Sequence, residues 1–166
     1  MHRKKFLKST LSTLALASVS PQSLLAKAPV APDPLDPMLV KEFVIAGHGK
    51  LDQVKEMLQT HPTLLYARYD WGKGDFEEAI EGAGHLGNKE IAHYLIEQGA
   101  RVNVFVLTML GKTDLVKGLL EAYPTLLQAR GAHGFTLLHH ARVGKATILE
   151  QYLLKKGLKE TKIDIK

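Results

Sequence analysis

The chain has 166 residues, with 22 Lys and Arg against 17 Asp and Glu, a formal net charge of +5 and no cysteine. Without cysteine it has neither a disulfide framework nor thiol chemistry, so its stability must come from packing. The first 28 residues hold five of the basic residues and no acidic residue, which leaves 17 of each in the remainder. Because that remainder is electrically balanced, we expect no nucleic-acid partner.

Residues 1–28 have the layout of an export signal peptide. Basic residues within 3–8 come first, an apolar stretch over 11–25 follows, and residues 26–28 form an A-x-A cleavage site. The segment 3–8 also resembles the bacterial twin-arginine export motif, with Lys4 in place of the second arginine, so the route of export stays open. A proline and two polar residues interrupt the apolar stretch before it reaches the roughly 20 residues of a membrane span. We therefore predict a periplasmic or secreted protein, not inserted in a membrane after signal removal.

Residues 29–37 contain four prolines. Proline lacks the amide hydrogen that a helix needs and favours extended backbone, so this composition is typical of a spacer. The sequence predicts a Pro-rich linker over 29–37, a folded domain over 38–157 and a C-terminal tail over 158–166.

The domain repeats one phrase four times, a polar turn with glycine followed by an apolar pattern at helical spacing. The copies start at Gly49, Gly87, Gly111 and Gly144. A second phrase, Pro-Thr-Leu-Leu-x-Ala-Arg, ends at Arg68 and again at Arg130 two units later. Each patterned helix is preceded by a shorter apolar segment, so whole helical hairpins recur. We predict an all-α fold of about four stacked helical hairpins.

Two segments resemble ankyrin repeats. Thr136-Leu-Leu-His-His-Ala141 is close to the family phrase T-P-L-H-x-A, and Tyr94-Leu-Ile-Glu-Gln-Gly-Ala-Arg-Val-Asn103 is close to L-L-x-x-G-A-x-x-N. The resemblance extends over residues 38–157 and implies an ankyrin-repeat solenoid. In such a solenoid the fingers and short helices form a concave face, which the resemblance implies is the binding surface.

The spacing of the repeats departs from the family at two joints. The glycine landmarks lie 38, 24 and 33 residues apart, whereas the family repeats about every 33 residues. Between units one and two, Tyr66–Asp75 lengthens the connecting finger. Between units two and three, Asn103 leads almost directly into the next helix, so a finger is missing there.

The long finger carries the leading candidate for partner contact, Trp71, which lies between charged residues and glycines. Tryptophan and tyrosine are enriched among interface anchors, and Tyr69 is two residues away. The alternative is that Trp71 folds back and covers the joint between units one and two. Asp75 likewise has a structural alternative, as a helix N-cap with Glu78 three residues later.

Histidines outside the signal peptide are numerous, yet they give no metal motif by spacing. No pair has the helical i, i+4 spacing with an intervening acid, and His139 and His140 point in different directions on a helix. By the resemblance, His139 is structural and bonds back toward Thr136. His85 and His133 lie at turns near the predicted concave side and are better candidates. We predict no metal and no cofactor.

Two nucleotide-binding patterns fail on inspection. Residues 82–87 read G-x-G-x-x-G but follow a helical stretch, without the acid about 20 residues later that a dinucleotide site needs. The Gly-Lys-Thr at 111–113 lacks the earlier glycine of a phosphate-binding loop. With no credible nucleophile and base pair, the sequence predicts that the protein is not an enzyme.

We therefore expect an exported module that binds another protein through its concave face. The alternative is a small enzyme or ligand-binding protein with a pocket at the long finger between repeats one and two. A tight ring of the candidate side chains favours the ligand-binding alternative, and residues spread along an open groove favour the protein binder. A third hypothesis, delivery into a host cell as an effector, involves the same module and differs only in its destination. The candidate contact residues are Tyr69, Trp71, Asp75, Glu77, His85 and His133.

Overall fold

The computed structural model describes residues 33–165, and the predicted signal peptide lies outside them, as do residues 29–32 of the predicted linker. The described chain is mostly helical, which confirms the coarse all-α prediction. Within it, no helix combines the length and apolar character that crossing a membrane requires. The first helix begins at Pro37, one residue before the predicted domain, because the Asp36 carboxylate caps it by accepting a 2.8 Å hydrogen bond from the Met38 amide.

Eight α-helices follow one another in the described residues, in consecutive pairs that pack as helical hairpins. The first helices of the pairs, α1, α3, α5 and α7, also pack on one another in chain order. This second set of contacts joins the four hairpins into one stack. Their bounds are α1 Pro37–Gly47, α2 Leu51–Thr60, α3 Ala79–His85, α4 Lys89–Glu97, α5 Val104–Met109, α6 Thr113–Ala122, α7 Leu137–Val143 and α8 Thr147–Lys155.

The core divides into two apolar clusters, one mainly within the first two hairpins and one mainly within the last two. Both contain side chains from the patterned second helices, such as Val54 and Leu95 in the first cluster and Val116 and Leu149 in the second. The helical spacing of these residues therefore places one apolar face of each second helix inside the stack.

The long first finger is a β-hairpin, not an irregular loop. Strand β1 (Arg68–Asp70) pairs antiparallel with β2 (Phe76–Glu78), with Tyr69 opposite Glu77. The turn between them uses positive φ angles at Gly72, Lys73 and Gly74, and glycine at two of these positions lowers the strain. The pairing holds the finger as a rigid ribbon beside α1 and α3.

The second finger is missing, as the repeat spacing predicts. Only residues 98–103 separate α4 from α5, and Asn103 caps α5 directly by accepting from the amides of Phe105 and Val106. The first finger therefore reaches the loop that precedes α7. Asp75 of the hairpin accepts a 2.8 Å hydrogen bond from the backbone amide of His133 in that loop.

Residues predicted as a C-terminal tail lie along the loop before α7. Leu158 is buried in the second cluster, and the Ile163 amide donates to the Gly134 carbonyl at 2.9 Å. The Thr136 amide donates to the Thr161 carbonyl at 3.0 Å. This segment supports the loop that carries His133.

Candidate functional site

Three histidines from different units surround one carboxylate. His48 follows α1, Glu77 lies in β2, His85 ends α3, and His133 lies in the loop before α7. Each offers one ligating atom, and these four atoms all lie within 4.8 Å of one another. We refer to these four residues as the His/Glu cluster.

Glu77 is the centre of the His/Glu cluster. Its Oε1 lies 3.4 Å from His48 Nε2 and 3.3 Å from His85 Nδ1, and its Oε2 lies 3.3 Å from His133 Nε2. The Glu77 side chain is fully buried and that of His85 is 5% exposed, whereas those of His48 and His133 are 25% and 27% exposed. The cluster therefore has a closed inner side and a partly open outer side.

Two of the polar atoms inside the cluster are left without partners. Glu77 Oε2 accepts a 2.9 Å hydrogen bond from the Trp71 indole N–H. Within the described residues, Glu77 Oε1 and His85 Nδ1 are buried and make no hydrogen bond. Buried polar atoms in folded proteins are normally paired, so these two atoms, which lie 3.3 Å apart, are the donors of the cluster best placed to bind a ligand.

Hydrogen bonds outside the cluster fix two of the imidazole rings. His48 Nδ1 lies 2.9 Å from the Val44 carbonyl oxygen, and His133 Nδ1 lies 2.8 Å from Asp75 Oδ2. A carbonyl and a carboxylate only accept, so each Nδ1 carries the hydrogen and donates it. In the neutral rings, each Nε2 then presents a lone pair toward Glu77.

The buried groups have shifted pKa values. Burial, with a smaller effect of the neighbouring histidines in the same direction, lowers the pKa of His85 to about 3. Burial raises the pKa of Glu77, while His48, His133 and the Trp71 hydrogen bond act in the opposite direction. His85 is thus a neutral imidazole at pH 7.

Aromatic rings cover one side of the cluster. Trp71 packs against the first apolar cluster, with its ring centroid 4.7 Å from that of Tyr69 and 5.8 Å from that of His133. The Lys41 ammonium lies 5.9 Å from the Trp71 ring centroid. Trp71 therefore covers the joint of units one and two, as in the alternative interpretation of this residue, and also orients Glu77.

Five of the six predicted contact residues gather at this place. Trp71, Asp75, Glu77, His85 and His133 form the cluster and its surroundings, and Tyr69 lies at its edge against Trp71. Because Glu77 and His85 are buried, they do not reach the surface of a partner protein in this conformation. The residues form a tight ring, which is the arrangement expected of a ligand site.

Two structural roles expected from the sequence are wrong. The N-cap of α3 is Glu78, whose amide donates to Glu81 at 2.7 Å, because β2 displaces the helix start beyond the reach of Asp75. His140 Nδ1, and not His139, bonds the Thr136 carbonyl at 2.8 Å, since residues four apart face each other on a helix. His139 Nε2 instead lies 2.8 Å from the His85 carbonyl oxygen.

His48 was missed in the sequence, although a signal was present. The tripeptide Ala-Gly-His occurs at 46–48 and again at 83–85, at the ends of two helices that pack side by side. Equivalent positions in stacked repeats are neighbours in space. The recurrence therefore predicts the approach of His48 and His85, which a search for motifs within one helix does not detect.

An open groove lies beside the cluster, where the second finger is missing. Its volume is about 380 Å³. Arg68 and Phe76 of the hairpin line one side, Arg130 lines the other, and Phe105 lies at the start of α5 between them. Asp75 borders both the groove and the His/Glu cluster.

Comparison with known proteins assigns no activity. The chain matches no protein-family model. It is similar to alpha-latrocrustotoxin-Lt1a from Latrodectus tredecimguttatus, with 35% identity over 80 residues. The match covers 43% of this chain and 6% of the toxin, so the chain spans a small part of the length of this relative.

Proposed function

We propose that the chain is an exported ankyrin-type repeat module that acts by binding and not by catalysis. The four packed helical hairpins, the finger between units one and two, and the family phrase at the start of α7 support the ankyrin type. Export is proposed from residues 1–28, which lie outside the described residues. The place of binding is the His/Glu cluster, and the ligand is a small cation.

The observation that carries this proposal is the tight ring of electron-pair donors around Glu77. A carboxylate oxygen and three imidazole nitrogens converge, and two of these atoms lack a hydrogen-bond partner within the described residues. A buried carboxylate is costly without compensating positive charge. A bound cation supplies that charge, and it would be reached through the partly exposed side at His48 and His133.

Thermal unfolding of the chelator-treated protein tests this function against a panel of cations: Zn²⁺, Ni²⁺, Mg²⁺, Ca²⁺, methylammonium, guanidinium and spermidine. A ligand present at 100 times its Kd stabilises the folded state by about 2.7 kcal/mol. We expect at least one cation to raise the unfolding temperature of the wild type and to have little effect on Glu77→Gln. The proposal fails if no cation in the panel distinguishes the two proteins.

A protein partner is a second candidate, favoured by the open groove at the missing finger. Phe76 is 46% exposed at its edge, beside the guanidinium groups of Arg68 and Arg130. Exposed aromatic and arginine side chains are frequent anchors in protein interfaces. The groove, the Tyr69 and Trp71 edge and the hairpin tip together form the surface that a partner would contact.

Affinity capture from an envelope fraction tests this second candidate. We expect a protein that is retained by the wild type and lost with Phe76→Ser, but kept with Tyr123→Ser. Tyr123 is a matched control because it is an exposed aromatic residue, 61% accessible, outside the groove. Equal capture by both variants would remove the groove from consideration.

A further inference from the structure

We propose that His48 Nε2, His85 Nδ1, His133 Nε2 and the Glu77 carboxylate bind one divalent transition-metal ion of the zinc type. This inference rests on the proposed function, since it names the cation that the His/Glu cluster binds. It goes further in fixing the ligand atoms, the coordination and the class of metal.

The directions of the lone pairs support a metal. The Nδ1 hydrogens of His48 and His133 are donated outward, to Val44 and to Asp75, which leaves both Nε2 lone pairs aimed at the Glu77 oxygens. An imidazole lone pair and a carboxylate oxygen that face each other repel unless a positive charge lies between the two atoms. One metal ion would satisfy all four donors together.

The distances suit a small ion. A four-coordinate zinc ion with ligand bonds of roughly 2.1 Å places its ligand atoms roughly 3.4 Å apart. Glu77 Oε1 lies 3.4 Å from His48 Nε2 and 3.3 Å from His85 Nδ1, which fits this spacing, whereas the 3.3 Å neighbour of His133 Nε2 is the other oxygen, Oε2. The widest separation in the set, up to 4.8 Å, requires an inward movement of roughly 1 Å. His48 and His133 are the two partly exposed side chains of the set, at 25% and 27%, and therefore the ones less confined by packing.

The surroundings are those of a metal-binding histidine. A ligating imidazole usually donates its other N–H to a carboxylate or a backbone carbonyl, which fixes the ring and its tautomer. His133 donates to the Asp75 carboxylate and His48 donates to the Val44 carbonyl. The Trp71 N–H holds Glu77 Oε2, which leaves the buried Oε1 free to bind.

The ligand types select the class of metal. Three imidazoles and one carboxylate suit zinc and the late first-row ions, whereas Mg²⁺ and Ca²⁺ prefer sets of oxygen ligands. The chain contains no cysteine, so the site does not use soft thiolate ligands. Such a site remains intact in an oxidising compartment.

A proton network is the competing explanation. If His48 or His133 carried a second proton, its Nε2–H would donate to Glu77 and the cluster would be an internal ion pair. That arrangement still leaves His85 Nδ1 and Glu77 Oε1 buried without a hydrogen bond in the described residues, although they lie 3.3 Å apart. The two explanations differ in whether the cluster takes up one equivalent of metal.

Titration calorimetry of the full chain, stripped with chelator and free of a polyhistidine tag, tests the inference with Zn²⁺ and Co²⁺ at pH 7.5. We expect one equivalent of Zn²⁺ to bind, and the visible spectrum of bound Co²⁺ to show the intense bands of tetrahedral coordination. His48→Ala and His133→Asn should weaken Zn²⁺ binding by at least about 100-fold, because each removes a ligand. Asn at 133 keeps a residue that tolerates the positive φ of this position.

His93→Ala is the matched control, since His93 is an exposed histidine outside the cluster. It should bind Zn²⁺ as the wild type does. The inference is overturned if all three variants bind alike, if Co²⁺ stays octahedral, or if Zn²⁺ does not bind. If Zn²⁺ does not bind, while an organic cation stabilises the wild type but not Glu77→Gln, the metal-site inference is wrong and the cation-binding function stands. If no cation acts through Glu77, both fail.

Discussion

The hydrogen bonds between Asp75 and His133 give the sharpest test of how the fold holds its site. They join the hairpin finger to the loop before α7 across 58 residues of sequence. Asp75→Ala removes both bonds, and Asp75→Asn keeps an acceptor for the His133 amide while losing the charge. We expect both substitutions to destabilise the protein, Ala more than Asn.

The structure sets the size of this effect. A hydrogen bond to a charged group contributes about 1.5–3 kcal/mol. The side chains of Asp75 and His133 are 15% and 27% exposed, so solvent screening favours the lower end for each bond. Asp75→Ala should therefore lower the free energy of unfolding by about 3 kcal/mol, and Asp75→Asn by about 1–2 kcal/mol.

Urea unfolding of the metal-free protein, followed by circular dichroism, measures both changes. Asp164→Asn is the control, because Asp164 is an exposed carboxylate that borders the same side of the loop as His133. We expect its unfolding to differ from the wild type by less than about 0.5 kcal/mol. A loss below about 1 kcal/mol for Asp75→Ala, or equal losses for Asp75 and Asp164 variants, would refute the role assigned to these bonds.

Four further substitutions, one of them a control, test other parts of the structure. Glu77→Gln should raise the free energy of unfolding of the metal-free protein at pH 7, because burial opposes the charged carboxylate. Urea unfolding in the presence of chelator measures this change, and a lower free energy of unfolding in the variant would contradict it. Burial lowers the pKa of His140 to about 4, below the roughly 6.5 of an unfolded chain, so the neutral ring contributes stability above pH 6.5 that is lost as the pH falls toward 4. That loss amounts to about 3 kcal/mol, and His140→Asn should flatten this part of the stability profile between pH 7 and 4; an unchanged slope would contradict it. Gly144→Ala should lower the free energy of unfolding in urea by about 2–3 kcal/mol, because a Cβ there would overlap the Met109 carbonyl. Gly118→Ala, whose Cβ would lie in open space, should raise it by about 0.5–1 kcal/mol. Similar effects at both sites would exclude the close packing at Gly144.

The repeated phrase was enough to predict the helices and their pairing. Apolar residues at helical spacing after each glycine landmark correspond to α2, α4, α6 and α8, and Asn103 marks the joint without a finger. The β-hairpin was harder to predict, because its strands have three residues each. A strand pair this short depends on the packing against α1 and α3, which local sequence does not reveal.

The His/Glu cluster could be predicted only in part. Glu77, His85 and His133 were candidates for contact with a partner, but the spacing along the chain did not show that they meet around one point. His48 comes from the first unit and His133 from the fourth, so their approach depends on how the units stack and on the missing second finger. Tertiary geometry of this kind becomes visible in sequence only where a phrase such as Ala-Gly-His recurs.

The two irregular joints of the repeat act together to form the cluster. A second finger of ordinary length would lie between the hairpin and the loop before α7, and would separate Asp75 from His133. With that finger absent, the longer first finger brings Glu77 and Asp75 to the histidines of three units. A regular stack gains no stability from burying a carboxylate beside neutral imidazoles, since an apolar side chain of similar volume costs less to bury. The cation that we propose would offset this cost on binding, and the irregular joints are the features that bring the donors of this site together.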